Sequence, residues 1–143
     1  MSATGAAYIL LPKAISTNSL YRNVRGVGRV ATGEYRRWQE EASKILLAQN
    51  PIPRFSDPVE MTFYTGEKGV GDMDGDNTLK AAQDALVKAG VIPDDNRKHV
   101  RSVRSVWVPG MRSVVVEILP ARPAPKLSAF LSRVPPGLHD YLR

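Results

Sequence analysis

Between residues 59 and 90 the spacing of apolar residues changes from every second position to a helical repeat. Val59, Met61 and Phe63 alternate with Glu60, Thr62 and Tyr64, the pattern of a strand buried on one face. From about residue 77 to residue 89, Leu79, Ala82, Leu86 and Ala89 share a helical face, and Gly90 is placed to end that helix. A strand feeding a helix restricts the chain to architectures in which helices pack on a sheet. The remaining segments fit such a plan. "AAYILLP" (6–12) reads as a short buried strand ended by Pro12. Thr32 is positioned to cap a helix over 33–48, where Tyr35, Trp38, Ala42, Ile45 and Leu46 recur on one side. Residues 100–108 and 113–119 read as two strands joined by "PGMR", with Gly110 supplying the turn. The polar, basic stretch 16–33 is a loop or loose hairpin, "PIP" at 51–53 breaks the chain, and 91–99 is a turn. The expected order is β-α-β-α-β-β, an α/β (α+β) fold with a mixed sheet and two main helices. One domain is expected over 1–120. Residues 121–143 form a proline-rich extension that Phe130 and Leu131 could dock.

The 143 residues are 43% hydrophobic, enough for one core. No apolar run reaches the roughly 18 residues that span a bilayer, and the N-terminal stretch has no basic leader. There is no cysteine, so disulfides, thiolate nucleophiles and cysteine-held zinc are excluded. A cytoplasmic protein is the expectation. Charge is unevenly distributed. Residues 1–54 carry 8 Lys/Arg against 3 Asp/Glu, residues 55–100 carry 5 against 9, and residues 101–143 carry 7 against 2. An acidic middle lies between two basic flanks, and basic surfaces attract polyanions, nucleic acid foremost.

The acidic middle centres on "GDMDGDN" (71–77), at the junction of the predicted strand and helix. Asp72, Asp74 and Asp76 occupy the first three ligand positions of an EF-hand loop. The sixth position is Asn77 where glycine is needed, the twelfth is Gln83 where glutamate is needed, and a strand precedes the loop. A calcium loop is therefore rejected. A solvated turn that caps a helix remains open, since Asp and Asn cap well. In an extended segment Asp74 and Asp76 share a face, and oxygen ligands converging on one point suit magnesium or manganese. Lys80 lies one helical turn beyond Asp76. It is either a surface ion-pair partner or a cation that stabilises a developing oxyanion. Asp94 and Asp95 lie beyond the far end of the helix, and spacing alone leaves open whether the chain returns them to the cluster. No glycine-rich run ends in the Gly-Lys-Ser/Thr of a P-loop.

"DGDNTLKAAQDALVKAGVIPDDNRKHV" (74–100) resembles the RusA family of Holliday-junction resolvases. The matching elements are Asp-x-Asp-Asn-x-x-Lys, an alanine-rich "DAL…AG" helix and an Asp-Asp pair. "LP" at 11–12, "STNSLYR" at 16–22 and "GRVATGEYR" at 28–36 are similar to that family's opening strand, loop and first helix, so the resemblance spans about 8–119. It implies a RusA-like endonuclease domain. The essential, metal-holding carboxylates fall on Asp74, Asp76 and Asp95, and the catalytic lysine on Lys80. Asp94 falls on the less critical acid and Asn77 on an asparagine at the helix start, where capping is its expected role. The resemblance further implies a homodimer, Mg2+ (with Mn2+ as a substitute), no organic cofactor, and paired nicking of a four-way junction in recombination and repair. The family is common in phages, which would place the enzyme in a host cytoplasm. Asp72 is an additional acid. Gly75 and Thr78 replace apolar residues of the family pattern, and "GEKGVG" is less basic than the corresponding stretch.

Carboxylates repel DNA, so binding needs cations elsewhere. Arg22, Arg25, Arg29, Arg36 and Arg37 are the leading candidates, and the 22–29 cluster beside Tyr21 is a candidate phosphate clamp. Arg97, Lys98, Arg101 and Arg104 follow. Trp38 and Trp107 are expected in the core, His99 on the surface, and His139 is incidental. Two other functions fit the same residues: a branched-DNA nuclease of broader specificity, and a non-catalytic basic DNA-binding protein whose acidic turn only caps a helix.

Overall fold

The computed structural model describes residues 5–143. Residues 1–4, part of the stretch read as lacking a leader, lie outside the described residues. Strands β1 (Ala7–Leu11), β4 (Val59–Gly66), β5 (Val100–Val108) and β6 (Val114–Pro120) form a mixed sheet in the order β1-β6-β4-β5. β4 pairs parallel with β5 and antiparallel with β6, and β1 pairs antiparallel with β6. A small second sheet, β2 (Tyr21–Val24) with β3 (Gly28–Ala31), makes the 16–33 stretch a hairpin. The main helices are α1 (Gly33–Ala48) and α2 (Leu79–Lys88). The fold is thus the expected mixed α+β class.

Two local predictions are met closely. The Thr32 side chain caps α1 by accepting from the Tyr35 N–H at 3.1 Å, while its hydroxyl donates to the Ser19 carbonyl at 2.6 Å. β4 alternates as expected: Val59, Met61, Phe63 and Thr65 are buried, and the residues between them are half-buried. The buried row joins Ile9, Leu11, Val116 and Ile118 with Trp38, Ala42 and Leu46 of α1 and Ala81, Ala82 and Leu86 of α2 in one core. The opposite face of the sheet is more open, with Tyr8 63% exposed.

The final strands depart from a simple turn. β5 and β6 do not pair with each other but flank β4 on either side. Residues 109–113 therefore cross the end of β4. Gly66 N–H donates to Ser113 O at 2.9 Å and Lys68 N–H to Met111 O at 3.0 Å. A Cβ on Gly66 would run into the Met111 carbonyl, so only glycine lets the crossing chain lie this close. Gly110 has φ +81°, as a turn glycine does.

The second helix starts later than its pattern suggested. Gly75–Thr78 forms a 3-10 turn, and regular helix begins at Leu79. Gly90, at φ +78°, ends it as expected. The C-terminal extension contains α3 (Leu127–Leu131) and a 3-10 turn over Pro136–Tyr141. Leu131 is buried, whereas Phe130 is exposed. The extension is also fastened at its root. Arg122 donates to both Glu60 carboxylate oxygens, at 3.1 and 3.2 Å from its guanidinium and 2.9 Å from its backbone N–H. Those hydrogen bonds hold the Glu60 carboxyl below its usual pKa.

Candidate active site

The acidic loop is built by two turns bracing each other. Asp74 takes an extended conformation just before the 3-10 turn. Within that turn the Asn77 N–H donates to Asp74 O at 3.1 Å, and the Thr78 hydroxyl donates to Gly75 O at 2.7 Å. A second turn, Thr17–Ser19, holds it from outside, because the Thr17 hydroxyl donates to Asn77 O at 3.0 Å. Asn77 does not perform the capping role expected of it. Thr78 occupies the cap position of α2, and neither it nor Asp74 makes a side-chain cap bond.

The Asp72, Asp74 and Asp76 side chains are exposed, and their carboxylates make no hydrogen bond or ion pair with the described residues. The loop lies against β5: a Cβ on Gly75 would sit 3.5 Å from Ser105 Oγ and 3.7 Å from Trp107 Nε1. Trp107 is half-buried at this contact, whereas Trp38 is a core residue whose Nε1 donates to Lys13 O at 2.8 Å.

Lys80, which follows this loop in α2, reaches the second acidic pair through Asp95. Its Nζ lies 3.0 Å from Asp84 and 3.9 Å from Asp95. Asp95 is half-buried, on a turn anchored by fully buried Val91 and Ile92. Asp94 points elsewhere. Its carboxylate accepts from the Asp95 N–H at 2.7 Å and from Asn96 Nδ2 at 2.8 Å, which uses it to shape the turn. The Asp84 hydrogen bond, with further attraction from Asp84 and Asp95, raises the Lys80 pKa above the usual lysine value. Asp84 was not singled out from the sequence, although its i,i+4 spacing from Lys80 is the signal that could have found it.

Hard oxygen donors suit a magnesium-like ion, and the exposed, partnerless Asp74 and Asp76 carboxylates are such donors. Asp95 is held beside Lys80. Among the described residues no three Asp, Glu or His side chains form a ready-made metal cage. A cleft of about 510 Å³ lies between α1 and α2, with Tyr21, Tyr35, Trp38 and Asp84 in its walls and none of Asp74, Asp76 or Asp95.

The candidate DNA-binding residues Arg22, Arg25, Arg29, Arg36, Arg37, Arg97 and Lys98 are all exposed. The hairpin register separates some of them. Tyr21 pairs with Ala31 and Asn23 with Arg29, so these share one face, while Arg22 and Val30 lie on the other. The Arg29 guanidinium stacks 4.0 Å from the Tyr21 ring centre. Arg36 donates to Ala31 O and Arg101 to Arg97 O, each at 3.1 Å. Arg104 aligns with Thr62 on the sheet face away from Ser105 and Trp107. His99 is half-buried, and a His139 ring nitrogen lies 3.1 Å from Val134 O.

Among the described residues no helix is long and apolar enough to cross a membrane. The model of the family described as endodeoxyribonuclease RusA matches residues 12–118. No curated protein matches the chain.

Proposed function

Because the chain belongs to the RusA family of endodeoxyribonucleases, we propose that it resolves four-way DNA junctions by paired, Mg2+-dependent phosphodiester hydrolysis, acting as a homodimer. The observation that carries this reading is the meeting of Lys80 with Asp95, which brings the second acidic pair to the start of α2. Asp74, Asp76 and Asp95 would hold Mg2+, which when bound supplies a hydroxide nucleophile and offsets charge on the leaving 3′ oxygen. Lys80 contributes a fixed positive charge for the pentacoordinate transition state. Asp84 holds the Lys80 ammonium in place, and Asp94 shapes the turn that presents Asp95. The exposed arginines of the β2–β3 hairpin and of α1 engage flanking phosphates. Two opposed cuts need two such sites, hence the dimer.

The test compares a synthetic four-way junction with fork and linear duplex DNA, with and without Mg2+. Wild type is expected to cut the junction only with the metal. Asp76→Asn should lower the cleavage rate by more than about a hundredfold and leave junction binding intact. Unchanged cleavage by Asp76→Asn removes the assignment. Equal cutting of fork and junction favours the broader branched-DNA nuclease.

A further inference from the structure

Three separate segments bring two cations together just upstream of the acids. Lys13 follows β1, Gly69 lies in the turn after β4, and Arg112 lies in the link that crosses β4. Lys13 Nζ donates to Gly69 O at 3.2 Å. The point where a Gly69 Cβ would stand is 3.3 Å from Arg112 Nη1 and 3.9 Å from Lys13 Nζ. Neither cation forms an ion pair with a carboxylate of the described residues, and Glu67 of the same turn forms none either. Two like charges held close without a counter-ion repel each other, and an anion between them removes that cost.

Both are firmly mounted. Pro12, Ala14 and Ile15 around Lys13 are buried, and the Lys13 carbonyl accepts from Trp38. The link carrying Arg112 is pinned by the Gly66–Ser113 and Lys68–Met111 hydrogen bonds. Gly69 has φ +82°, a conformation that side chains strain to adopt, and a side chain there would crowd Arg112. The turn then runs straight into Asp72 and Asp74.

We propose that Lys13 and Arg112 form a seat for one backbone phosphate of the DNA, at the end of the sheet where the acidic loop begins. The proposal rests on the nuclease reading. An acidic centre repels its own substrate, so cations fixed next to it must hold the neighbouring phosphate in register. In this chain the stretch immediately before the acids supplies only Lys68, and the seat draws its charge from two remote segments instead.

The experiment measures junction binding by fluorescence anisotropy in metal-free buffer across a salt series. It compares wild type, Lys13→Gln/Arg112→Gln, and a charge-matched control, Lys126→Gln/Arg133→Gln, from the C-terminal extension. Thermal melts check folding, and Lys13→Arg serves as the conservative variant. The seat predicts that Lys13→Gln/Arg112→Gln weakens binding and lowers the slope of log affinity against log salt by about one to two. The control should change the slope less, and Lys13→Arg should retain affinity. Wild-type binding and cleavage with an unchanged slope in Lys13→Gln/Arg112→Gln, or equal losses in the control, overturn the seat alone. Absence of junction binding by wild type overturns the seat and the nuclease reading together.

Discussion

Lys80 Nζ and the Asp95 carboxylate stand 3.9 Å apart, although they lie at the start of a helix and beyond its end. The ten residues of α2 rise by about 15 Å. Beyond Gly90 the chain runs through bends over residues 91–95 and returns Asp95 to the Lys80 side chain. Buried Val91 and Ile92 hold the returning segment against the core, so the position of Asp95 depends on hydrophobic packing rather than on charge.

The Lys80 charge should therefore depend on Asp84. With its pKa raised by that hydrogen bond, Lys80 stays protonated across the neutral range. The stabilisation from the pair is present there and disappears only as pH rises through the raised value. Because Lys80 is half exposed, the pair adds no more than about 1 kcal/mol to stability. Lys80→Ala should cut the cleavage rate by about a hundredfold or more with little change in melting temperature. Asp84→Asn should move the basic limb of the pH–rate profile to lower pH. An unmoved limb removes Asp84 from the positioning role.

The hairpin arginines should not be equivalent. Arg29 is stacked on Tyr21 while Arg22 lies on the opposite face. Replacing Arg22, Arg25 and Arg29 together by glutamine should weaken junction binding and reduce its salt slope by at least about one. Of the single variants Arg22→Gln and Arg29→Gln, one should account for more of the loss, which identifies the face that meets DNA. A salt slope unaffected by the triple change would exclude the hairpin from the interface.

Gly66→Ala is expected to destabilise the fold by about 1–3 kcal/mol, because the new methyl group meets the Met111 carbonyl. Gly75→Ala is the contrast. Its methyl would make ordinary contacts with Ser105 and Trp107 and should be tolerated. Urea denaturation of both variants checks the difference, and equal stabilities would contradict the crossing geometry.

Features set by neighbouring residues were legible in the sequence. The Thr32 cap, the span of α1, the alternation of β4 and the stop at Gly90 all follow from local spacing and backbone preference. The Asp-x-Asp loop was legible too, because its residue types at that spacing resemble one family. The sheet order was not, because a short link such as 109–113 suggests adjacent strands, and only the packing of β4 between β5 and β6 reveals the crossing. The role of Asn77 was not legible, because a 3-10 turn shifts the helix start to Leu79. The approach of Lys13 to Arg112 was invisible for the same reason as the strand order: each looks like an isolated surface charge until the sheet brings the two segments together.

The neighbour of β1 in the sheet is β6, so the first strand of the chain has to wait for the last. During synthesis Ile9 and Leu11 remain without a ladder until residues 114–118 have emerged, long after the acidic loop has been made. The main sheet therefore closes by joining its first strand to its last. A chain halted before β6 would carry every acid of the proposed centre but lack the middle of the sheet that supports them.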